Sequence, residues 1–448
     1  MQAVEAEPLS SKLVVRLTAE TYAARFSTLA LSLVSNILLA RMLGPEGKGY
    51  VAAALLWSGT LASLLIFGLD SSAVYFIGQS PGRFRRLVRI FVVYALAMGL
   101  VGTILLHGIN HWSGVFGGET GLVWAVSALL LTGLLTVLFN ALYIGLGQLS
   151  RTNRVAVVGA ALTLIFLLAS YVVGASSLRT VVLGIAGLQA VIAAYLVIRA
   201  LTLPRIEPAF SIRWPDFGRY SFKAYAGNLA GILYSRSNLM ILSVSASMSE
   251  VGIYSIALVF ADVVLILPNT LINIIFPKVA AMSTEQAVQR ISETCRFATV
   301  VALAIAVGVG LAATLVIPVA FGSAFQPAVG MAWILCAGAW LGTSGMVLSI
   351  YFYGAGRPEV PASASWLGFA FVAALTYGLA PRWGGYGAAV AVSLSRLVVA
   401  GYMLIRYLRD SRERWTRVVL PGPADWQRGA HLVQDLVVAA RQRPKGHG

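Results

Sequence analysis

The chain has 448 residues, of which 58% are hydrophobic and 11% are charged, and its mean hydropathy is +0.81. Because soluble domains carry about 25% charged residues, this composition excludes a soluble protein and indicates one whose hydrophobic mass lies in lipid. The formal net charge of +16 does not indicate nucleic-acid binding, because no segment is long enough to form a basic soluble domain.

Apolar runs bounded by charged residues, Gly or Pro predict about 12 transmembrane helices and an all-α fold. A bilayer core of about 30 Å needs roughly 20 apolar residues per helix, and each run must be helical because lipid leaves no partner for free backbone groups. The predicted helices span 18–42, 47–69, 87–107, 121–144, 155–174, 180–201, 218–245, 251–275, 295–319, 328–352, 360–380 and 386–408.

The lysines and arginines predict the orientation of these helices. With the N-terminus in the cytoplasm, 25 of the 33 Lys and Arg residues fall in cytoplasmic segments, four in external segments and four within helices. Because cytoplasmic loops carry the excess of Lys and Arg, we expect both termini to be cytoplasmic. Residues 1–17 lack a basic region followed by a short apolar core, so no cleaved signal peptide is predicted.

The chain beyond Arg409 is predicted to be a basic cytoplasmic tail. Trp426, Val433 and Val437 fall at helical spacing within it, as in an amphipathic helix that lies on an anionic membrane surface. A disordered basic tail explains the same residues equally well.

A six-helix unit is predicted to occur twice. Three matches at offsets of 204 to 209 residues support it: 193–201 with 400–408, Gly145–Gly147 with Gly354–Gly356, and Glu46–Tyr50 with Glu250–Tyr254. Because six is even, both halves insert in the same direction, and we expect a central cavity between them. The predicted domains are 1–17 (cytoplasmic N-terminus), 18–201 (first six-helix bundle), 202–217 (cytoplasmic linker), 218–408 (second six-helix bundle) and 409–448 (tail).

Polar side chains follow one face of the first helix of each half. At spacings of three or four residues stand Tyr22, Arg25, Thr28, Ser32 and Ser35, and likewise Tyr225, Asn228, Gly231, Ser235 and Asn238. Such a face meets either a neighbouring helix or a water-filled cavity, because buried polar groups need partners. Arg25 favours the cavity, and the candidate cavity residues are Tyr22, Arg25, Ser32, Asn36, Asn228 and Asn238.

Three charged residues, Arg236, Asp262 and Arg396, lie deepest in the predicted helices. An ionised group at a helix centre costs roughly 2.5–3.5 kcal/mol on insertion scales, so such residues often mark transport pathways. Arg236 and Arg396 are candidates for binding an anionic ligand, since guanidinium groups match phosphate oxygens. Asp262 and Asp70 are candidates for ion coupling; for Arg236, Asp262 and Arg396, structural ion pairing is the alternative.

No motif indicates an enzyme, a metal or a cofactor. The sequence contains no GxxxxGK[ST] phosphate loop and no HExxH zinc motif. Gly44–Gly49 is interpreted as a tight turn, and the predicted external loops carry no pair of acids suited to general acid–base catalysis. We therefore predict no catalytic residues and no cofactor.

Several short motifs now suggest a family. They are LLARMLGPEGKGYVAAA (38–54), FGLDSSAVYFIG (67–78), VGIYSIA (251–257), FPKVAAM (276–282), PVAFGSAFQPA (318–328), YFYGAGRP (351–358) and WGGYGAAVAVSLS (383–395). In this order they resemble the polysaccharide-transporter branch of the MOP exporter superfamily, the flippases for lipid-linked oligosaccharides. The resemblance covers nearly all predicted helices.

The resemblance implies two six-helix bundles around a central cavity, alternating access, and movement of undecaprenyl-diphosphate-linked sugars across the bacterial cytoplasmic membrane. It implies a lipid-linked anionic glycan as cargo, with membrane lipids and envelope glycan assembly proteins as partners. Relatives often carry an acidic residue near the position of Asn238, so this departure weakens any ion-coupling role there.

Three other functions stay open at this point. The first is a drug or metabolite antiporter of the same superfamily, whose usual cationic cargo fits arginines poorly. The second is a membrane glycosyltransferase or polymerase, which generally needs a sizeable external loop. The third is a scaffold of an envelope assembly complex.

Overall fold

The computed structural model describes residues 11–80, 82, 84–117, 120–175, 177–203, 213–279 and 281–420. Every regular element in these ranges is helical, as predicted for the fold class. The α-helices are α1 (Ser11–Leu65), α2 (Leu69–Gln79), α3 (Phe84–Ser113), α4 (Thr120–Gly145), α5 (Leu149–Val173), α6 (Leu178–Thr202), α7 (Trp214–Ser245), α8 (Met248–Val279), α9 (Thr284–Val316), α10 (Pro327–Gly354), α11 (Glu359–Ser411) and α12 (Trp415–Val419).

The two longest helices each contain a kink that divides them into two membrane crossings. α1 has 55 residues and α11 has 53, so each is about 80 Å long at 1.5 Å per residue, more than twice the thickness of a bilayer core. The backbone leaves the helical region at Gly44 (φ 67°) in α1 and at Gly384 (φ 53°) in α11. Both positions match predicted boundaries between helices.

By length and composition, nine helices in the described part of the chain are apolar enough to cross a membrane. The kinked α1 and α11 each supply two membrane crossings, so the nine helices supply eleven crossings. α7, with 32 residues, is the remaining long helix and corresponds to the predicted helix 218–245. Its polar and charged residues, among them Asn228, Arg236 and Asn238, make it less apolar than the other nine.

The second predicted helix, 47–69, is longer in the structure and is broken inside. After Leu65 the chain makes a turn, with Phe67 at φ 47° and Gly68 at φ 73°, and then continues as α2 to Gln79. A side chain on Gly68 would place its Cβ 2.3 Å from the Ser221 carbonyl oxygen of α7. The break was not predicted, because it depends on the close approach of a distant helix.

The chain forms two compact units, residues up to Ile232 and residues from Leu233. In the first unit α4 packs against α1, α2, α3 and α6; in the second α10 packs against α8, α9 and α11. The division falls inside α7, whereas the predicted division fell in 202–217, of which 204–212 lie outside the described residues. The predicted domain boundaries therefore stay a prediction.

The central helices α4 and α10 end in the same way. Gly147 (φ 73°) and Gly356 (φ 68°) follow their last turns in left-handed conformation. The amide of Gln148 donates to the Tyr143 carbonyl at 2.9 Å, and the amide of Arg357 donates to the Phe352 carbonyl at 2.8 Å. Both are bonds to the fifth preceding residue, the helix-ending motif that glycine favours. The matched glycines of the sequence thus perform the same structural role.

An apolar cluster closes one end of the second unit. Ile291 and Cys295 of α9, Phe352 of α10, Tyr407 of α11 and Val418 of α12 are buried in it. The Tyr407 hydroxyl donates to the Val288 carbonyl at 2.8 Å, which ties the end of α11 to α9. The predicted amphipathic segment of the tail, from Trp426 onward, lies outside the described residues.

Candidate functional site

Three helices of the second unit bring the predicted deep charges together. Arg236 lies on α7, Asp262 on α8 and Arg396 on α11, and both arginines lie within electrostatic range of the carboxylate, with Arg396 exerting the larger effect. None of the ion pairs in the described part of the chain joins Asp262 to either arginine. The three charges are therefore neighbours without forming a closed salt bridge. We call them the charged cluster.

Arg396 is the member of the charged cluster that the protein holds most firmly. It is half-buried, and its guanidinium group donates to the Leu335 carbonyl of α10 at 3.4 Å. Its aliphatic part passes Gly342 of α10, where an added Cβ would lie 3.3 Å from the Arg396 Cβ. Arg236 and Asp262 are exposed. One fixed cation thus lies beside two accessible charges.

Hydroxyl and amide groups surround the charged cluster. The Asn238 amide donates to the Tyr254 hydroxyl at 2.6 Å, and both residues are buried. Tyr234 and Tyr254 lie within electrostatic range of Arg396. Asn238 is predicted as a cavity residue, but its amide donates a hydrogen bond inside the protein. Its contact with a ligand stays a prediction.

α8 presents a polar face that the sequence analysis missed. Ser255, Asp262 and Asn269 recur every seventh residue, and each is half-buried or exposed. By contrast, α3 and α9 expose rows of apolar side chains, Leu96, Leu100 and Ile104 on α3 and Val307, Leu311 and Leu315 on α9. An exposed charge that faced acyl chains would cost roughly 2.5–3.5 kcal/mol. The polar face of α8 therefore suits a water-filled space. The seven-residue spacing of these three residues was the sequence signal that could have predicted this face.

The predicted face of α1 divides into an open and a packed part. Arg25 is exposed, Tyr22 and Ser32 are half-buried, and Ser35 is buried. The Asn36 amide donates to the Ser32 carbonyl at 2.8 Å. Helix packing accounts for the Ser35 end of the face, and only the end near Arg25 presents charge.

Two contacts that sequence reasoning did not predict fix the Arg25 end of α1 to α5. The Ser150 hydroxyl donates to the Glu20 carboxylate at 2.6 Å, and the Asn153 amide donates to the Thr21 hydroxyl at 2.9 Å. The remaining candidates lie elsewhere in the first unit. Asn228 is exposed on α7, and Asp70 is half-buried in the first turn of α2.

Arrangements of this kind bind anions. The charged cluster holds two guanidinium groups and one carboxylate, so it carries a net positive charge. Guanidinium groups bind phosphate oxygens in pairs, and the nearby tyrosine and asparagine groups offer neutral hydrogen bonds. The structure thus brings together Arg236, Arg396, Asp262 and Asn238 of the second unit. Tyr22, Arg25, Ser32, Asn36, Asn228 and Asp70 belong to the first.

Comparison with known proteins provides a family match. The family model described as polysaccharide biosynthesis protein matches residues 16–283, which is more than half of the chain. No curated protein matches the chain.

Several solved structures have the same fold. The lipid II flippase MurJ in an inward closed conformation has a TM-score of 0.70 at 13% identity, with 96% of this chain and 94% of that chain covered. An inward-facing multidrug resistance MATE family transporter of the MOP superfamily has a TM-score of 0.66 at 17% identity, over 87% and 95%. A MOP superfamily transporter from Pyrococcus furiosus Vc1, described as having reversed binding-pocket polarity, has a TM-score of 0.56 at 17% identity, over 90% and 96%. These likenesses show the fold.

Proposed function

The chain belongs to the polysaccharide biosynthesis protein family, and from that premise we propose that it is a flippase for lipid-linked glycans. It is a multi-pass helical membrane protein with the fold of MurJ and the MATE transporters. The proposed cargo is an oligosaccharide or polysaccharide repeat unit on undecaprenyl diphosphate. The protein moves it across the bacterial cytoplasmic membrane, with both of its termini in the cytoplasm.

The charged cluster is the observation that supports this proposal. A diphosphate carries a dense negative charge, and Arg236 and Arg396 supply two guanidinium groups within electrostatic range of the same carboxylate, Asp262. Because no closed salt bridge occupies the Arg236 and Asp262 side chains within the described residues, the cationic charge is available to a ligand. The polar face of α8, in the same unit, offers hydrogen bonds to the sugars.

The cargo is carried rather than chemically changed. Two arginines facing one carboxylate repel a cationic drug, so the superfamily's antiporter function fits this cluster less well. A transporter of this kind works by alternating access, in which the site opens first to one side of the membrane and then to the other. Asp262 or Asp70 is proposed to couple this change to an ion gradient. The central cavity expected between the two halves stays a prediction.

Replacing Arg236 with alanine tests the proposal. We expect Arg236→Ala to abolish surface glycan export in cells that depend on this protein, because it removes the accessible guanidinium group from the charged cluster. The measurement is surface glycan by immunoblot, with protein level in the membrane fraction measured in parallel. The matched control is Arg382→Ala, which removes an exposed arginine near the α11 kink and should leave export near normal. Normal export by Arg236→Ala would remove the charged cluster from the transport site.

A further inference from the structure

A row of aromatic rings in contact with one another lies where α2 meets α7 in the first unit. The rings of Tyr75 and Tyr220 are nearly parallel, with centroids 4.5 Å apart and planes at 11°. Phe76 contacts both Tyr220 and Phe217, and Phe217 contacts Trp214. The guanidinium carbon of Arg86 lies 5.4 Å from the Trp214 ring centroid. We call Tyr75, Phe76, Tyr220, Phe217 and Trp214 the aromatic ladder.

Buried polar contacts between α2 and α7 hold the aromatic ladder in place. The hydroxyls of Ser72 and Ser221 lie 2.6 Å apart and are buried. Gly68 approaches the backbone of α7 so closely that no side chain fits there. Phe217 is 3% exposed, whereas Tyr75 is 43% and Tyr220 is 38% exposed. The stacked tyrosines are therefore fixed before any ligand binds, and they present open surface.

The tyrosines lie close to the end of the unit that carries its basic residues. Tyr75 is four residues from the end of α2, and Tyr220 is six from the start of α7, which places them about 6 and 9 Å from the helix ends. Arg85, Arg86 and Arg89 follow in the first turns of α3. Since loops rich in arginine lie on the cytoplasmic side, the ladder lies at the level of the cytoplasmic head groups.

A sugar on a charged lipid fits this surface better than a phospholipid does. The rings of Tyr75 and Tyr220 stack face to face, so each ring has one face covered by the other and leaves its outer face to a ligand. The C–H face of a pyranose ring packs on such a surface because the face of an aromatic ring is negative. Lys223 is exposed and lies three residues after Tyr220. Residues three apart are neighbours on the surface of a helix. Lys223 adds the positive charge that a diphosphate requires.

We propose that Tyr75 and Tyr220 form a docking platform for the sugar diphosphate head of a lipid-linked glycan, with the sugar stacked on the tyrosines and the diphosphate beside Lys223. This inference rests on the proposed function and adds a second binding site to it, on the first unit. The platform receives the cargo in the cytoplasmic leaflet before transport.

Binding of three lipid probes to the full-length protein in phosphatidylcholine nanodiscs tests the proposal. The probes are undecaprenyl diphosphate bearing one N-acetylglucosamine, undecaprenyl diphosphate without sugar, and phosphatidylglycerol. For Tyr75→Leu with Tyr220→Leu, we expect Kd for the glycosylated probe to rise about tenfold. Removal of an aromatic residue that stacks on a nucleic-acid base has an effect of this size. The Kd for the sugar-free probe should stay the same. Lys223→Gln should weaken both polyprenyl probes.

Two controls separate stacking from folding and from general anchoring. Tyr75→Phe with Tyr220→Phe keeps both rings and should bind the glycosylated probe nearly as wild type does. Phe222→Leu changes an exposed aromatic residue of the same helix outside the ladder and should have no effect. Thermal unfolding of each variant checks that the protein is intact.

The outcomes distinguish this inference from the proposed function. If the leucine pair binds the glycosylated probe as wild type does, or weakens both polyprenyl probes equally, the platform is wrong while the flippase proposal stands. Phosphatidylglycerol that competes as well as the glycosylated probe would make this a phospholipid site and also overturn the inference. If the wild-type protein binds neither polyprenyl probe, both proposals fail together.

Discussion

At the scale of single residues, charge and burial decide which polar groups serve structure and which serve function. Asn238 and Tyr254 are both buried and are bonded to each other at 2.6 Å, whereas Arg236 and Asp262 are exposed within long apolar helices. The sequence presents all four as polar residues in membrane segments. Only their contacts separate a pair that stabilises the unit from charges that stay available to a ligand.

The Asn238–Tyr254 pair gives a prediction about stability. Asn238→Leu leaves a buried Tyr254 hydroxyl without its partner, which costs about 1–3 kcal/mol, and Tyr254→Phe does the same to the amide. We expect each single variant to lower the midpoint of thermal unfolding in detergent. The double variant should lose less than the sum of the two, because neither group is then left unpaired. Strictly additive losses would show that the bond contributes little.

At the scale of elements, glycines at positive φ set where the long helices break. Gly384 divides α11, and its neighbour Gly385 donates its backbone amide to the Glu250 carboxylate at 2.7 Å. Glu250 belongs to the first turn of α8, so one side chain ties the kink of α11 to the beginning of α8. The kink is therefore held by a tertiary contact as well as by local conformation.

Gly384 and Gly378 form a matched pair for testing this kink. In Gly384→Ala the Cβ would lie 2.6 Å from the Glu250 carboxylate at a φ of 53°, and a strained residue of this kind costs about 1–3 kcal/mol. Gly378 lies in the same helix with no atom within 4 Å of an added Cβ. We expect Gly384→Ala to lower the thermal unfolding midpoint and reduce glycan export. Gly378→Ala should be neutral or slightly stabilising. Equal behaviour of the two variants would refute a structural role for the kink.

At the scale of the whole molecule, the predicted membrane crossings and the distribution of charge give a topology that labelling can test. The segment between α3 and α4 is predicted to be external, and Trp112 at the end of α3 is 84% exposed. The predicted cytoplasmic counterpart is Trp415 of α12, which is 54% exposed. The native cysteines Cys295 and Cys336 are buried, so they contribute little background.

A membrane-impermeant maleimide applied to intact cells reads this topology. We expect Trp112→Cys to be labelled from outside, and Trp415→Cys to be labelled only after the cells are lysed, because arginine-rich segments stay in the cytoplasm. The reverse pattern would invert the orientation. It would also place the aromatic ladder at the external surface.

The sequence by itself determined the all-α fold class and the boundaries between predicted helices that coincide with the kinks at Gly44 and Gly384. These follow from apolar run length and from glycine, which act locally. It also identified Arg236, Asp262 and Arg396 as unusual, because charge is expensive in lipid wherever it stands. Short motifs showed the resemblance of the sequence to a polysaccharide-transporter family. The family match over residues 16–283 agrees with this resemblance.

Only the tertiary structure decided which of these residues are neighbours. The charged cluster, the Asn238–Tyr254 bond, the break before α2 and the aromatic ladder each join residues from different helices. Helix periodicity specifies the face on which a residue lies, but the packing of one helix against another decides what that face meets. For that reason the stacking of Tyr75 on Tyr220 became visible only when α2 and α7 were in place.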